Sequence, residues 1–187
     1  DGQALLDADP EVFSALQPLI RFTKVFLNDS GKPTGKGIEF PFGTKSFSPK
    51  EMLKDHRREA GIEAFTYAFQ GQDFVTADTH LKCTAKFYFK TMKGFIDEQK
   101  HKDKSISFSD LASYTTNGPE GNYLIKADIG WADPGVVGSA GNNVVYPYVR
   151  DAIRNTRISL WLEPQSFSYS FNDDGSVSVD VTYVGAI

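Results

Sequence analysis

Between Leu81 and Lys90 the chain alternates without interruption, with Leu81, Cys83, Ala85, Phe87 and Phe89 on one parity and Lys82, Thr84, Lys86, Tyr88 and Lys90 on the other. Successive side chains of an extended strand point to opposite faces, so this segment has one apolar face and one wet face, a period that a helix cannot present. Such a strand is buried only by a sheet whose other strands carry matching apolar faces, which points the chain to a β-rich fold. Those faces recur. Tyr123, Ile125, Ala127, Ile129 and Trp131 alternate with Lys126, Asp128 and Gly130. At the C-terminus Phe167, Tyr169 and Phe171 face one way, Asn172-Asp173-Asp174-Gly175 forms a turn, and Val177, Val179, Val181 and Tyr183 return on the same pattern. Nearly every opposing residue from Ser166 to Thr182 is Ser, Asp or Thr, so the reading gives a hairpin with one solvated face.

The remaining segments fit around this framework. Leu19 to Leu27 is apolar, Asp29-Ser30-Gly31-Lys32-Pro33 turns, and Gly37 to Phe42 is apolar again, which reads as a hairpin with a long basic tip. Phe65, Tyr67 and Phe69 alternate with Ala64, Thr66 and Ala68 up to Gly71, giving a strand with an aromatic face. Ile158, Leu160 and Leu162 form a further strand that Pro164 interrupts. Short helices are expected over Glu11 to Gln17 behind an Asp9-Pro10 start, over Pro49 to Ala60 behind Ser48, and over Met92 to Gln99. Two more candidate segments are Ser107 to Ser113, capped by Ser107, and Tyr148 to Asn155, and two to four of the five are expected to form helices. Asp133 to Asn143, rich in Gly, Ala, Ser and Asn without periodicity, reads as a loop that is either mobile or ordered by a partner.

The expected fold is mainly β (α+β), an antiparallel β-sandwich or barrel with two to four short peripheral helices. It is read as one domain over residues 1–187, with 1–18 as an N-terminal arm. At 187 residues the chain is long enough to bury a core without a metal or disulfide staple, and its 13% aromatic content argues against disorder. The single cysteine, Cys83, excludes an internal disulfide and a thiolate zinc cage. A net charge of −4 gives no general attraction to nucleic acid or to anionic membranes, and no apolar run reaches the roughly 18 residues of a membrane-spanning helix.

Each apparent catalytic or ligand motif fails on spacing or context. Gly31-Lys32-Pro33-Thr34-Gly35-Lys36-Gly37 resembles a phosphate loop, but Lys36 is followed by glycine and a strand follows instead of the helix whose N-terminus would cradle phosphate. Asp78, His80 and Cys83 suggest a thiol catalyst, yet positions 80 and 83 lie on opposite faces of a strand, which leaves Cys83 a buried apolar thiol. His56 and His101 sit in charged stretches without metal-ligand spacing. Asn172 to Ser176 lacks the ligand alternation and terminal acid of a calcium loop, and Asp55 with Glu59 or Asp97 with Glu98 reads as surface charge. Lys82, Lys86, Tyr88 and Lys90, with Lys93, Lys100, Lys102 and Lys104 nearby, form a basic stripe that either tracks a nucleic-acid backbone or keeps a sheet soluble, and the second reading is preferred. No catalytic residue, metal ligand or cofactor site is therefore assigned.

The order of the strands is similar to that of structural proteins of tailed-bacteriophage virions, particularly tail and baseplate components. The features are Lys24-Val25-Phe26, Phe65 to Gly71, Lys82 to Phe89, Ile125 to Trp131, and the terminal Phe171-Asn172-Asp173-Asp174-Gly175 hairpin. The resemblance implies a subunit of the virion, assembled in the host cytoplasm, that acts by oligomerisation with copies of itself and docks to other virion structural proteins. Neither an enzymatic role, nor nucleic acid, nor a membrane enters this expectation. Residues 1–18 and the 133–143 loop are where contacts are expected. The alternatives are a carbohydrate- or small-ligand-binding β-sandwich using Trp161, Tyr146 or Tyr148, and an enzyme whose site assembles only in space.

Overall fold

The computed structural model describes residues 17–28, 30–42, 59–70, 81–101, 104–113, 122–132 and 147–185. The elements in chain order are β1 (Gln17–Leu27), β2 (Pro33–Glu39), β3 (Ala60–Phe69), β4 (Leu81–Phe89), α1 (Met92–Ile96), β5 (Gln99–His101) and β6 (Lys104–Ile106). A 3-10 turn (Phe108–Leu111), β7 (Tyr123–Ala132), α2 (Pro147–Asn155), β8 (Ile158–Phe171) and β9 (Val177–Gly185) complete the set. The architecture is mainly β, sandwich-like and antiparallel, with two short α-helices among the described residues. One sheet has the strand order β2-β1-β7-β8-β9-β4-β3, and β5 with β6 forms a separate hairpin.

The chain divides into two compact units. The larger comprises Phe22–Gly43, Arg57–Ala127 and Leu160–Ile187. Its centre is β9, which pairs with β8 on one side and β4 on the other. Directly opposed residues share a face, so the pairs Cys83 with Tyr183, Ala85 with Val181, Phe87 with Val179 and Phe89 with Val177 make one continuous apolar surface. All eight are buried. Phenylalanines from β1 and from the segment after β2 cover it: the Phe22 ring lies 5.2 Å from Phe87 and 5.7 Å from Phe65, edge-on in both cases, and Phe42 stacks on Phe87 at 5.4 Å. These edge-to-face and stacked rings pack onto the apolar face of β4 and β9 and make it core.

Two β-bulges correct mismatches of parity. In β3 the inward residues are Ala60 and Ile62 before the bulge but Phe65, Tyr67 and Phe69 after it, and the register against β4 slips between Ile62 and Ala64, leaving Glu63 as the extra residue. In β8 the inward residues change from Leu160, Leu162 and Pro164 to Phe167, Tyr169 and Phe171, and Gln165 is the extra residue against β9. An added residue restores the apolar set to the correct face and increases the local twist. Pro164 therefore bends β8 without ending it, and the interruption expected there is a bulge within one 14-residue strand.

Several expected boundaries move. β2 begins at Pro33, so most of the expected basic tip belongs to the strand. The turn shrinks because the Asn28 side chain accepts hydrogen bonds from the Ser30 and Lys32 amides. Phe40 and Phe42 lie beyond β2, with the Phe40 amide donating to the Phe22 carbonyl at 2.9 Å. The helix expected over Met92 to Gln99 stops at Ile96, because Asp97 leaves helical backbone angles and Gln99 opens the β5–β6 hairpin. Ser107 caps its turn as expected, in a reciprocal capping box with Asp110, but only four residues of 3-10 helix follow. The helices expected over Glu11 to Gln17 and Pro49 to Ala60 lie outside the described residues, except that Gln17 opens β1 and Glu59 precedes Ala60 at the start of β3.

The smaller unit comprises Asp1–Arg21, Thr44–His56 and Asp128–Ser159. Its helix α2 buries Ala152 and Ile153 while Asp151, Arg154 and Asn155 face solvent. The Thr156 hydroxyl donates to the Ile153 carbonyl at the helix end, and the backbone of Arg157 packs on Gly130 at 3.5 Å from where a Cβ would stand.

Candidate functional site

On β1 the even positions Phe22, Lys24 and Phe26 all point into the core, which places a lysine where an apolar residue is expected. An ammonium there needs compensation, because an uncompensated buried charge is prohibitively costly. Lys24 Nζ lies 2.9 Å from Asp110 Oδ2 and 3.4 Å from the Ser105 carbonyl oxygen, and it sits 4.5 Å above the Tyr123 ring centroid. Asp110 Oδ2 also accepts the Ser107 amide at 2.9 Å, and the Asp110 carbonyl accepts the Tyr123 hydroxyl at 3.0 Å. The buried Tyr183 hydroxyl donates to the Leu111 carbonyl at 2.8 Å, and burial pushes this phenol well above its ordinary range. Together these bonds fasten the 104–113 segment to β1, β7 and β9. The cluster brings together Lys, Asp and two Tyr, and the bonds described tie distant parts of the chain to one another as a clamp. A lysine at core parity was the signal in the sequence; its partner stands 86 positions away.

The motifs singled out in the sequence are dispersed in the structure. Cys83 is buried on the β4–β9 core face, and desolvation raises its thiol from 9.0 to about 11, the opposite of an activated thiolate. Asp78, His80, His56 and Asp55 lie outside the described residues, as does the His101 side chain. Gly31 to Gly37 is a hairpin turn running into β2. Gly35 takes a positive φ of 71° there, and the Thr34 hydroxyl donates to the Phe26 carbonyl, so no helix N-terminus follows. In the Asn172 turn Asp174 accepts the Ser176 hydroxyl at 2.6 Å and the Ser176 amide at 2.9 Å, which holds its carboxyl below the ordinary range. Among the described residues no group of three His, Cys, Asp or Glu is arranged to hold a metal ion. The basic stripe on β4 is broken by compensation, since Lys86 Nζ lies 3.2 Å from Glu63 and faces Asp180 across the β4–β9 ladder. Trp161 is half-buried on β8, while the side chains of Tyr146 and Tyr148, most of residues 1–18 and the 133–143 loop lie outside the described residues.

The feature that alternation does not foretell is the exposure of the aromatic half of the C-terminal hairpin. Phe167, Tyr169 and Phe171 stand opposite the fully buried Val181, Val179 and Val177, on the same face of the sheet, yet they are 49%, 54% and 62% exposed. At the other end of the same four strands Tyr67 and Phe69 of β3 are 40% and 55% exposed. Among the described residues the covering phenylalanines lie over β4 and reach β3 at Phe65, while the rings further out on β3 and β8 stay exposed. Five large aromatic side chains are thus left at the two margins of one apolar face, more than scattered surface hydrophobics would produce. Neighbouring rings meet nearly at right angles, 90° between Tyr67 and Phe69 and 81° between Tyr169 and Phe171.

Among the described residues no helix is long and apolar enough to cross a membrane. Compared with protein-family models, with curated proteins and with solved structures, the chain matches none.

Proposed function

We propose that this chain is a structural subunit of a tailed-phage virion, of the tail or baseplate kind, working by oligomerisation and by docking to other structural proteins. The observation that carries an assembly role is the pair of exposed aromatic margins, Tyr67 with Phe69 and Phe167 with Tyr169 and Phe171, at either side of a well-covered sheet. Apolar side chains held on rigid strands lose little conformational freedom when a partner covers them, which suits a permanent interface. The virion is suggested by the order of strands in the sequence. The buried polar residues favour this reading over catalysis, since Lys24, Asp110 and Tyr183 hold the fold together and the Cys83 thiol is kept protonated.

The test is the composition of intact particles from the source of the sequence. Mass spectrometry of purified virions is expected to detect the chain in a fixed ratio to the other structural proteins, and imaging is expected to place it in a repeated ring or lattice. Its absence from purified particles would overturn the virion assignment.

A further inference from the structure

We infer that β3 is a homotypic docking edge, at which a second copy of this chain adds its own β3 antiparallel about a two-fold axis near Tyr67. The inference deepens the assembly reading above and rests on it. β3 ends the strand order, pairs only with β4 among the described residues, and extends over ten residues. Among the described residues such a strand has one side without a ladder, a row of backbone donors and acceptors that another strand can pair. The other end of the sheet is blunted by contrast. β2 starts with Pro33, which has no N–H to offer, contains Gly35 at positive φ, and has a register shift against β1.

The occupant is identified by self-complementarity. In a two-fold antiparallel pairing, residue i meets residue 2c − i, where c is the residue on the axis, so odd positions always meet odd positions. The aromatic face of β3 therefore meets the aromatic face of its twin in every such register. With Tyr67 on the axis, Tyr67 opposes itself, Phe65 opposes Phe69, and the other face matches Thr66 with Ala68 and Ala64 with Gln70. That register leaves the Glu63 bulge outside the ladder. Glu63 is the sole charged residue of β3 and is already bonded to Lys86, so no like charges meet. Tyr67 and Phe69 expose 40% and 55% of themselves; for side chains of about 150–250 Å² that is roughly 200 Å² per copy. The small residues and backbone add about as much again, so the pair buries roughly 800 Å² in total, below the roughly 1,200 Å² of a stable complex. The contact is therefore weak alone and becomes permanent when other contacts of an assembly raise the effective concentration.

The experiment uses the full chain at up to about 0.5 mM, where a weak dimer is populated. Sedimentation of the wild type is expected to show reversible dimerisation. Tyr67→Lys and Tyr67→Glu are each expected to weaken it at least about tenfold by opposing like charges on the axis, and an equimolar mixture is expected to restore it. In parallel, Tyr67→Cys is expected to form an oxidised dimer far faster than Thr66→Cys, because only position 67 faces itself. Denaturant midpoints confirm that each variant is folded. A wild type that remains monomeric, dimers indifferent to both charges, or equal crosslinking at 66 and 67 would each overturn the inference. Because the particle-composition test is separate, presence in virions together with any of these outcomes removes the β3 edge and leaves the assembly reading standing.

Discussion

The clamp between Lys24 and Asp110 makes the sharpest prediction about stability. Lys24 is 3% exposed and Asp110 18%, so the two halves of the pair are unequally buried. Replacing Asp110 by Asn preserves an acceptor for the Ser107 amide but removes the carboxylate 2.9 Å from a buried ammonium, a change that costs about 3–5 kcal/mol. Replacing Lys24 by Met keeps the apolar stem and leaves a partly solvated carboxylate that still accepts the Ser107 amide, at a cost of about 1–3 kcal/mol. With a urea slope of about 2 kcal/mol/M, Asp110→Asn is expected to lower the unfolding midpoint by about 1.5–2.5 M and Lys24→Met by roughly half that. The double variant is expected to be no worse than Asp110→Asn alone, because removing the ammonium also removes the charge that Asp110 compensates, giving a coupling of at least about 1 kcal/mol in the double-mutant cycle. Strictly additive losses, or a larger loss for Lys24→Met than for Asp110→Asn, would refute the clamp.

Three further outcomes are expected from the same unfolding assay. Phe87→Ala, at the centre of the ring cluster and fully buried, is expected to cost about 3–5 kcal/mol, whereas Phe171→Ala, 62% exposed on the same face, is expected to stay within about 0.5 kcal/mol. Gly175→Ala forces a Cβ into a φ of 82° at the β8–β9 turn, with an expected loss of about 1–2 kcal/mol. For Cys83 the folded value near 11 exceeds the unfolded 9.0, so the unfolded chain gives up this proton first. The stability gained from the neutral thiol is complete below pH 9 and disappears as pH rises towards 11. Cys83→Ala is expected to flatten that part of the pH profile, and native wild type is expected to resist thiol alkylation at pH 8 until it is unfolded.

Alternation located the strands but not the extent of what covers them. Val177, Val179, Val181 and Tyr183 are buried as the period requires, and Phe167, Tyr169 and Phe171 obey the same period while remaining exposed. Parity reports which face a residue occupies; whether another layer reaches it depends on distant segments such as Phe22 and Phe42. The bulges at Glu63 and Gln165 were not read from the sequence, although the apolar parity switches from even to odd across each. The Ser107 cap was legible because its signal is local. The β5–β6 hairpin was not, since three-residue polar strands carry no period, and neither was the Lys24 partnership, since nothing near Lys24 in sequence points to Asp110. The candidate surface therefore emerged where a local rule held and its tertiary consequence did not.

The placement of β9 also sets a timetable for synthesis. Phe89 of β4 meets Val177 of β9, with about 90 residues of chain between them, so at roughly 5–20 residues per second the inner face of β4 waits about 5–20 s on the ribosome for its neighbour. β3 and β4 can zip together early, but they then expose a freshly made apolar sheet with an open margin on each side. A nascent chain of this protein is thus most vulnerable to capture by other nascent chains just before the last strand emerges, and its need for a chaperone should be greatest in that interval.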